Sequence, residues 1–139
     1  VDDAVTRFLA ASESKDVDGM MATLASDVEL VSPLSGRMVF RETDDVHLLL
    51  GAVYRGLTDL RWDREMGDGR TRVAVSRGKI GGVTIDDAMV FELDDDGRIA
   101  RIRPHLRPWL ALTVLALRLG PTIARRPGVV WRALRPRAT

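Results

Sequence analysis

Residues 59–106 alternate between short apolar–polar runs and glycine-containing tight turns, and this pattern limits the chain to few architectures. It is clearest along Val83–Leu93. Val83, Ile85, Asp87, Met89, Phe91 and Leu93 fall on one face, and Thr84, Asp86, Ala88, Val90 and Glu92 on the other. A period of two buries one face only in a β-strand. Gly67-Asp68-Gly69, Gly81-Gly82 and Asp95-Asp96-Gly97 supply the turn chemistry, because glycine accepts the positive φ that tight hairpins need. The spacing predicts strands over Asp59–Glu65, Arg70–Ile80, Val83–Leu93 and Arg98–Leu106, joined as antiparallel hairpins. The apolar face of such a sheet must be covered.

The flanking segments supply the cover. A helix is expected over about Asp3–Ser14, with Val5, Phe8 and Leu9 at helical spacing. A second begins after Asp16 as N-cap and turns Val17, Met20, Met21 and Leu24 inward. A strand over Val28–Ser32 then runs into Pro33-Leu34-Ser35-Gly36, a turn. Thr43 is the expected N-cap of a third helix, with Asp44 and Asp45 in its first turn and Gly56 as its stop. Val46, Leu49, Leu50 and Val53 form its buried stripe. Beyond Pro108, Trp109–Leu119 is a strongly apolar helix expected to stop at Gly120-Pro121, followed by a shorter helix over Val129–Leu134. The apolar run is shorter than the roughly 20 residues a bilayer span requires.

Charge is unevenly placed. The first 96 residues hold all 20 acids against 11 bases, a charge of −9, whereas residues 97–139 hold ten arginines and no acid. Three explanations stay open: the basic segment packs on the acidic body of its own or a neighbouring subunit, contacts an anionic membrane surface peripherally, or contacts nucleic acid. Nucleic acid is not expected, because Trp109 and Trp131 are the segment's only aromatics and single-strand binding wants stacking residues interleaved with the arginines. The expected role is to cap the sheet or pack in a dimer. The chain has no cysteine, which excludes a disulfide framework, a thiolate nucleophile and cysteine-ligated metal. With the acidic start Val1-Asp2-Asp3 and no apolar leader, it reads as cytoplasmic.

Helix, helix, strand, proline turn, helix and four antiparallel strands make an α+β chain. That order, with "DVELVSPLSG" at 27–36 and "DDDGRI" at 94–99, resembles the nuclear transport factor 2-like superfamily. This superfamily includes SnoaL-like polyketide cyclases, ketosteroid isomerases and limonene epoxide hydrolases. The resemblance spans about residues 4–107. It implies a cone: a curved antiparallel sheet with about three N-terminal helices on its concave face. Residues 1–107 would be the domain and 108–139 an arginine-rich helical extension. The resemblance also implies a homodimer through the exposed sheet face.

Tested one position at a time, the family's catalytic groups are missing. The isomerase base falls on Ser32, the oxyanion-binding tyrosine on Phe8 and the protonated aspartate on Met89. For the epoxide hydrolases, Arg72-Val73-Ala74 keeps the arginine without the aspartate, and Pro104 stands where the second aspartate would be. Chemistry of either type is not expected.

Asp87 is the remaining catalytic candidate, the one charge on an apolar face. Buried there it would have a raised pKa and serve as a general base. The expected reading is that it lies near the Gly81-Gly82 sheet end, solvated or paired with an arginine, because aspartate is rarely buried alone. His47 is expected at a helix rim, and His105 on the face opposite Ile102, Pro104 and Leu106. No metal site or cofactor motif is expected. The predicted pocket residues are Phe8, Ser32, Leu49, Val53, Trp62, Met89, Phe91, Ile102, Leu106 and Trp109. They either fill the cone or line a cavity for an apolar molecule with Ser32 as polar contact. The expected function is non-catalytic binding of an apolar small molecule. The alternatives are an enzyme of isomerase, cyclase or hydrolase type built around Asp87, and an interaction module whose basic tail meets an anionic surface.

Overall fold

Seven strands form one curved sheet in a computed structural model that describes residues 3–136. The expected Val1, Asp2 and Arg137 features lie outside the described residues. The chain order is α1 (Ala4–Glu13), α2 (Val17–Met21), β1 (Leu24–Val31), β2 (Val39–Phe40), α3 (Thr43–Gly56), β3 (Leu57–Asp68), β4 (Thr71–Ile80), β5 (Val83–Leu93), β6 (Ile99–Arg103), β7 (Leu106–Arg107), α4 (Trp109–Ala124) and α5 (Pro127–Leu134). The strands lie in the order β2-β1-β6-β5-β4-β3, with β7 also on β5. All pairs are antiparallel except β1 with β6. The architecture is the α+β cone expected from the sequence, with a C-terminal helical extension.

The β4–β5 hairpin turns at Gly81 and Gly82, both at positive φ (55° and 79°), where a Cβ would strain the backbone. Its register pairs Ser76 with Asp87 and Ala74 with Met89, so these four share the concave face. Asp3 caps α1 by accepting the Thr6 amide at 2.9 Å. Phe8 then drops into the concavity, edge-on to Phe91 at 5.4 Å and to Tyr54 at 6.3 Å between ring centroids.

Several boundaries differ from expectation. β1 begins at Leu24, whose side chain therefore packs from a strand and not from the second helix. Ser32 lies just past β1. Glu42, not Thr43, occupies the N-cap of α3, with no side-chain cap bond. The expected strand over Arg98–Leu106 is divided at Pro104 into β6 and β7, which keep the same register against β5, and His105 between them exchanges both backbone bonds with Ala88 at 3.1 Å. The expected stop at Gly120-Pro121 is corrected: α4 continues to Ala124 with Pro121 inside it. Pro121 cannot bond the Leu117 carbonyl, but Leu117 is 71% exposed, so water can satisfy that oxygen. α5 begins earlier than expected, with Pro127 in its first turn, where a missing amide costs nothing.

The extension packs on the body. Ala111, Leu115 and Leu119 bury one face of α4 in the main core, and Val129 and Ala133 do the same for α5. Among the described residues, no helix is long and apolar enough to cross a membrane.

Candidate functional site

The concave side of the sheet and the helices enclose a cavity of about 110 Å³, on a measure by which one water needs roughly 10–15 Å³. Phe8 of α1 forms one wall, and Leu49, Leu50, Val53 and Tyr54 of α3 another. Trp62, Ser76, Ile85, Asp87 and Met89 rise from the sheet, and Ile102, Pro104 and Leu106 from its last strands. Leu115, Leu119 and Ile123 of α4 complete the enclosure. The extension thus helps to build the cavity.

Among the described residues, Asp87 and Tyr54 are the only ionisable side chains lining this space. Asp86 and Asp87 point to opposite faces, as strand pleating requires. Asp86 takes the arginine, accepting from Arg77 Nε at 2.9 Å on the outer side. Asp87 faces the cavity, partly buried and, among the described residues, with no arginine partner: of the two expected placements the arginine pairing is absent, and contact with solvent is partial. Its Oδ1 accepts the His105 amide at 3.1 Å. Burial among apolar groups pushes the Asp87 carboxyl up to about 7, against the smaller opposing pull of that amide. The raised value lets Asp87 donate as the acid or accept as the carboxylate.

Tyr54 is buried and its phenol is held far above its ordinary pKa, by burial first and then by the Asp87 charge. Its hydroxyl points at Met89 Sδ, 4.0 Å away. A thioether is a weak acceptor, so this proton is available to a stronger one. Ser32 lines the cavity, but its Oγ already accepts the Leu34 amide at 3.1 Å. Trp62 lines the cavity while its indole N–H donates to Ser12 Oγ at 2.9 Å.

Of the ten predicted pocket residues, Phe8, Ser32, Leu49, Val53, Trp62, Met89, Ile102 and Leu106 line the cavity. Phe91 does not: it is fully buried behind Phe8. Trp109 does not either. It is 75% exposed at the start of α4, because the helix turns Leu115 and Leu119 inward instead. Tyr54 was the omission. The signal available was its status as the chain's only tyrosine, four residues after Leu50 on the buried face of α3. His47 is exposed on α3, 3.1 Å from Asp18. His105 is exposed on the outer face, its Nδ1 3.1 Å from the Ala88 carbonyl. Among the described residues, no group of three or more metal-ligating side chains comes together.

The SnoaL-like domain family matches residues 5–102. The chain belongs to that family. Solved structures similar to this SnoaL-like domain share its fold at low identity. An uncharacterised bacterial protein with a cystatin-like fold from Silicibacter pomeroyi superposes with a TM-score of 0.85 at 20% identity, covering 94% of this chain and 93% of its own. A steroid delta-isomerase from Pseudomonas aeruginosa gives 0.79 at 22%, covering 90% and 92%. A nuclear transport factor 2-like protein of unknown function from Cytophaga hutchinsonii gives 0.62 at 12%, covering 78% and 91%. Among curated proteins none matches. In this SnoaL-like domain Phe8, Ser32 and Met89, where the sequence pattern was expected to place the isomerase groups, all line the cavity. Its two ionisable groups stand elsewhere in the same space, on α3 and β5.

Proposed function

We propose that this SnoaL-like domain binds an apolar small molecule carrying one hydroxyl or carbonyl, which meets Asp87 and Tyr54. The supporting observation is a single carboxylate and a single weakly partnered phenol in a mostly apolar enclosure whose other polar side chains are Ser32 and Ser76 among the described residues. A ligand hydroxyl donates to ionised Asp87; a ligand carbonyl accepts from Tyr54 or from protonated Asp87. The remaining surface of the ligand is held by apolar contact. Non-denaturing mass spectrometry of the purified chain, before and after addition of β-naphthol, tests this. A one-to-one adduct supports it; a chain that carries no adduct and takes up no β-naphthol overturns it.

A second reading is proton-transfer catalysis of isomerase, cyclase or hydrolase type. Its support is the Asp87 carboxyl near 7, the range in which a carboxylate is an effective general base at neutral pH. Asp87 would take a proton from a substrate carbon or water, while the Tyr54 hydroxyl donates to the oxygen that becomes negative. Asp87→Asn should then abolish turnover in a screen of ketone, polyketide and epoxide substrates while ligand binding persists. Loss of binding together with turnover would leave Asp87 a binding group only.

A homodimer through the convex sheet face is the proposed assembly. Val73 with Val90 and Val75 with Ala88 form cross-strand pairs there, each residue half-buried in the single chain. Light scattering on the purified chain should give twice the 15.4 kDa chain mass.

A further inference from the structure

Seven large hydrophobic side chains are exposed among the described residues, and five of them lie on α4 and α5. Trp109, Leu110 and Leu117 fall at i, i+1 and i+8 of α4, on the side away from its buried Ala111, Leu115 and Leu119. Trp131 and Leu134 share one face of α5, and the Arg135 guanidinium stacks 4.9 Å over the Trp131 ring. Arg118 and Arg125 border the outer face of α4, seven residues apart.

Charge identifies the occupant. Arg107, Arg118, Arg125 and Arg126 have no carboxylate within 4.0 Å among the described residues, and residues 97–139 contain no acid. The acidic body, at −9, is repelled by any anionic surface that attracts this segment. We propose that the outer face of α4, continued by α5, docks on an anionic lipid bilayer, with Trp109 and Leu117 entering the interface and the arginines meeting headgroups. Interfacial helices combine apolar and aromatic side chains on one face with arginines beside it, and bind without spanning. No described helix is long enough to cross. The acidic body then faces away from the membrane.

The surface is separable from the cavity, since neither Leu117 nor Arg125 lines it. The test is co-sedimentation of the full chain with vesicles of phosphatidylcholine alone and of equal parts phosphatidylcholine and phosphatidylserine. The chain should bind only the anionic vesicles, with affinity falling as salt rises. Each surface arginine near the membrane is worth about fivefold in affinity. Arg118→Glu with Arg125→Glu should therefore weaken binding at least about 25-fold. Leu117→Asp should abolish detectable sedimentation. Circular dichroism and β-naphthol binding should be unchanged in both variants. No sedimentation of the wild-type chain, or equal sedimentation of wild type and Leu117→Asp, overturns the proposal. So does an oligomer that Leu117→Asp dissociates, which would show that the face meets a second copy.

Discussion

Arg132 of α5 grips Asp45 of α3 with two hydrogen bonds of 2.8 Å. The Asp45 side chain is 7% exposed, and it sits in the first turn of α3, where the helix dipole also favours negative charge. The contact fixes the end of the extension to the body, 87 residues away in sequence. Replacing Arg132 by methionine leaves a buried carboxylate without its cation. The Tm should fall, and amide exchange across 128–134 should accelerate before that of the sheet. Asp45→Asn combined with Arg132→Met should cost less than the two single changes added together, because each removes the same interaction. Simple additivity would show that the pair does not anchor the extension.

Stability should depend on pH through Asp87. Its folded pKa, about 7, lies above the ordinary 3.8. Between those values the folded chain keeps a proton that the unfolded chain has released, so this group's contribution falls as pH rises and levels off above about 7. Asp87→Asn removes that slope. Asp87 is only partly buried, so solvent screens the carboxylate and the variant should gain about 1–3 kcal/mol near pH 8, less than the full penalty of about 4, and nearly nothing near pH 4. Urea unfolding of both proteins at the two pH values decides it. Equal differences at both would mean that Asp87 is solvated.

Tyr54→Phe separates packing from recognition. The hydroxyl's sole partner among the described residues is a sulfur at 4.0 Å, so its loss should change stability by less than about 1 kcal/mol. If the hydroxyl meets the ligand, affinity for β-naphthol should fall by about five- to tenfold. Large destabilisation with unchanged affinity would make Tyr54 a packing residue alone.

Much of the fold was legible because period-two alternation and paired glycines are local signals. β5 has the boundaries expected from its pattern, and the three N-terminal helices appear where their apolar stripes place them. What was hidden depends on tertiary contact. β2 has two residues and exists only through its pairing with Leu30 and Val31. The passage of α4 through Pro121 depends on which side of the helix faces water. Within the site, the lining residues followed from strand faces, but the state of Asp87 did not. Asp86 and Asp87 are adjacent and chemically identical; only the register that gives Arg77 to Asp86 leaves Asp87 alone in the cavity.

The most direct measurement is a β-naphthol titration, read by the ligand's own fluorescence, of the wild-type chain and of Met89→Trp. Met89 stands in the cavity wall opposite the Tyr54 hydroxyl, and an indole there fills the space a ligand needs. The account predicts saturable one-to-one binding to the wild type, weaker binding of naphthalene, which has no hydroxyl, and none to folded Met89→Trp. Absence of saturable wild-type binding, or equal binding by the filled variant, would contradict a ligand-holding cavity.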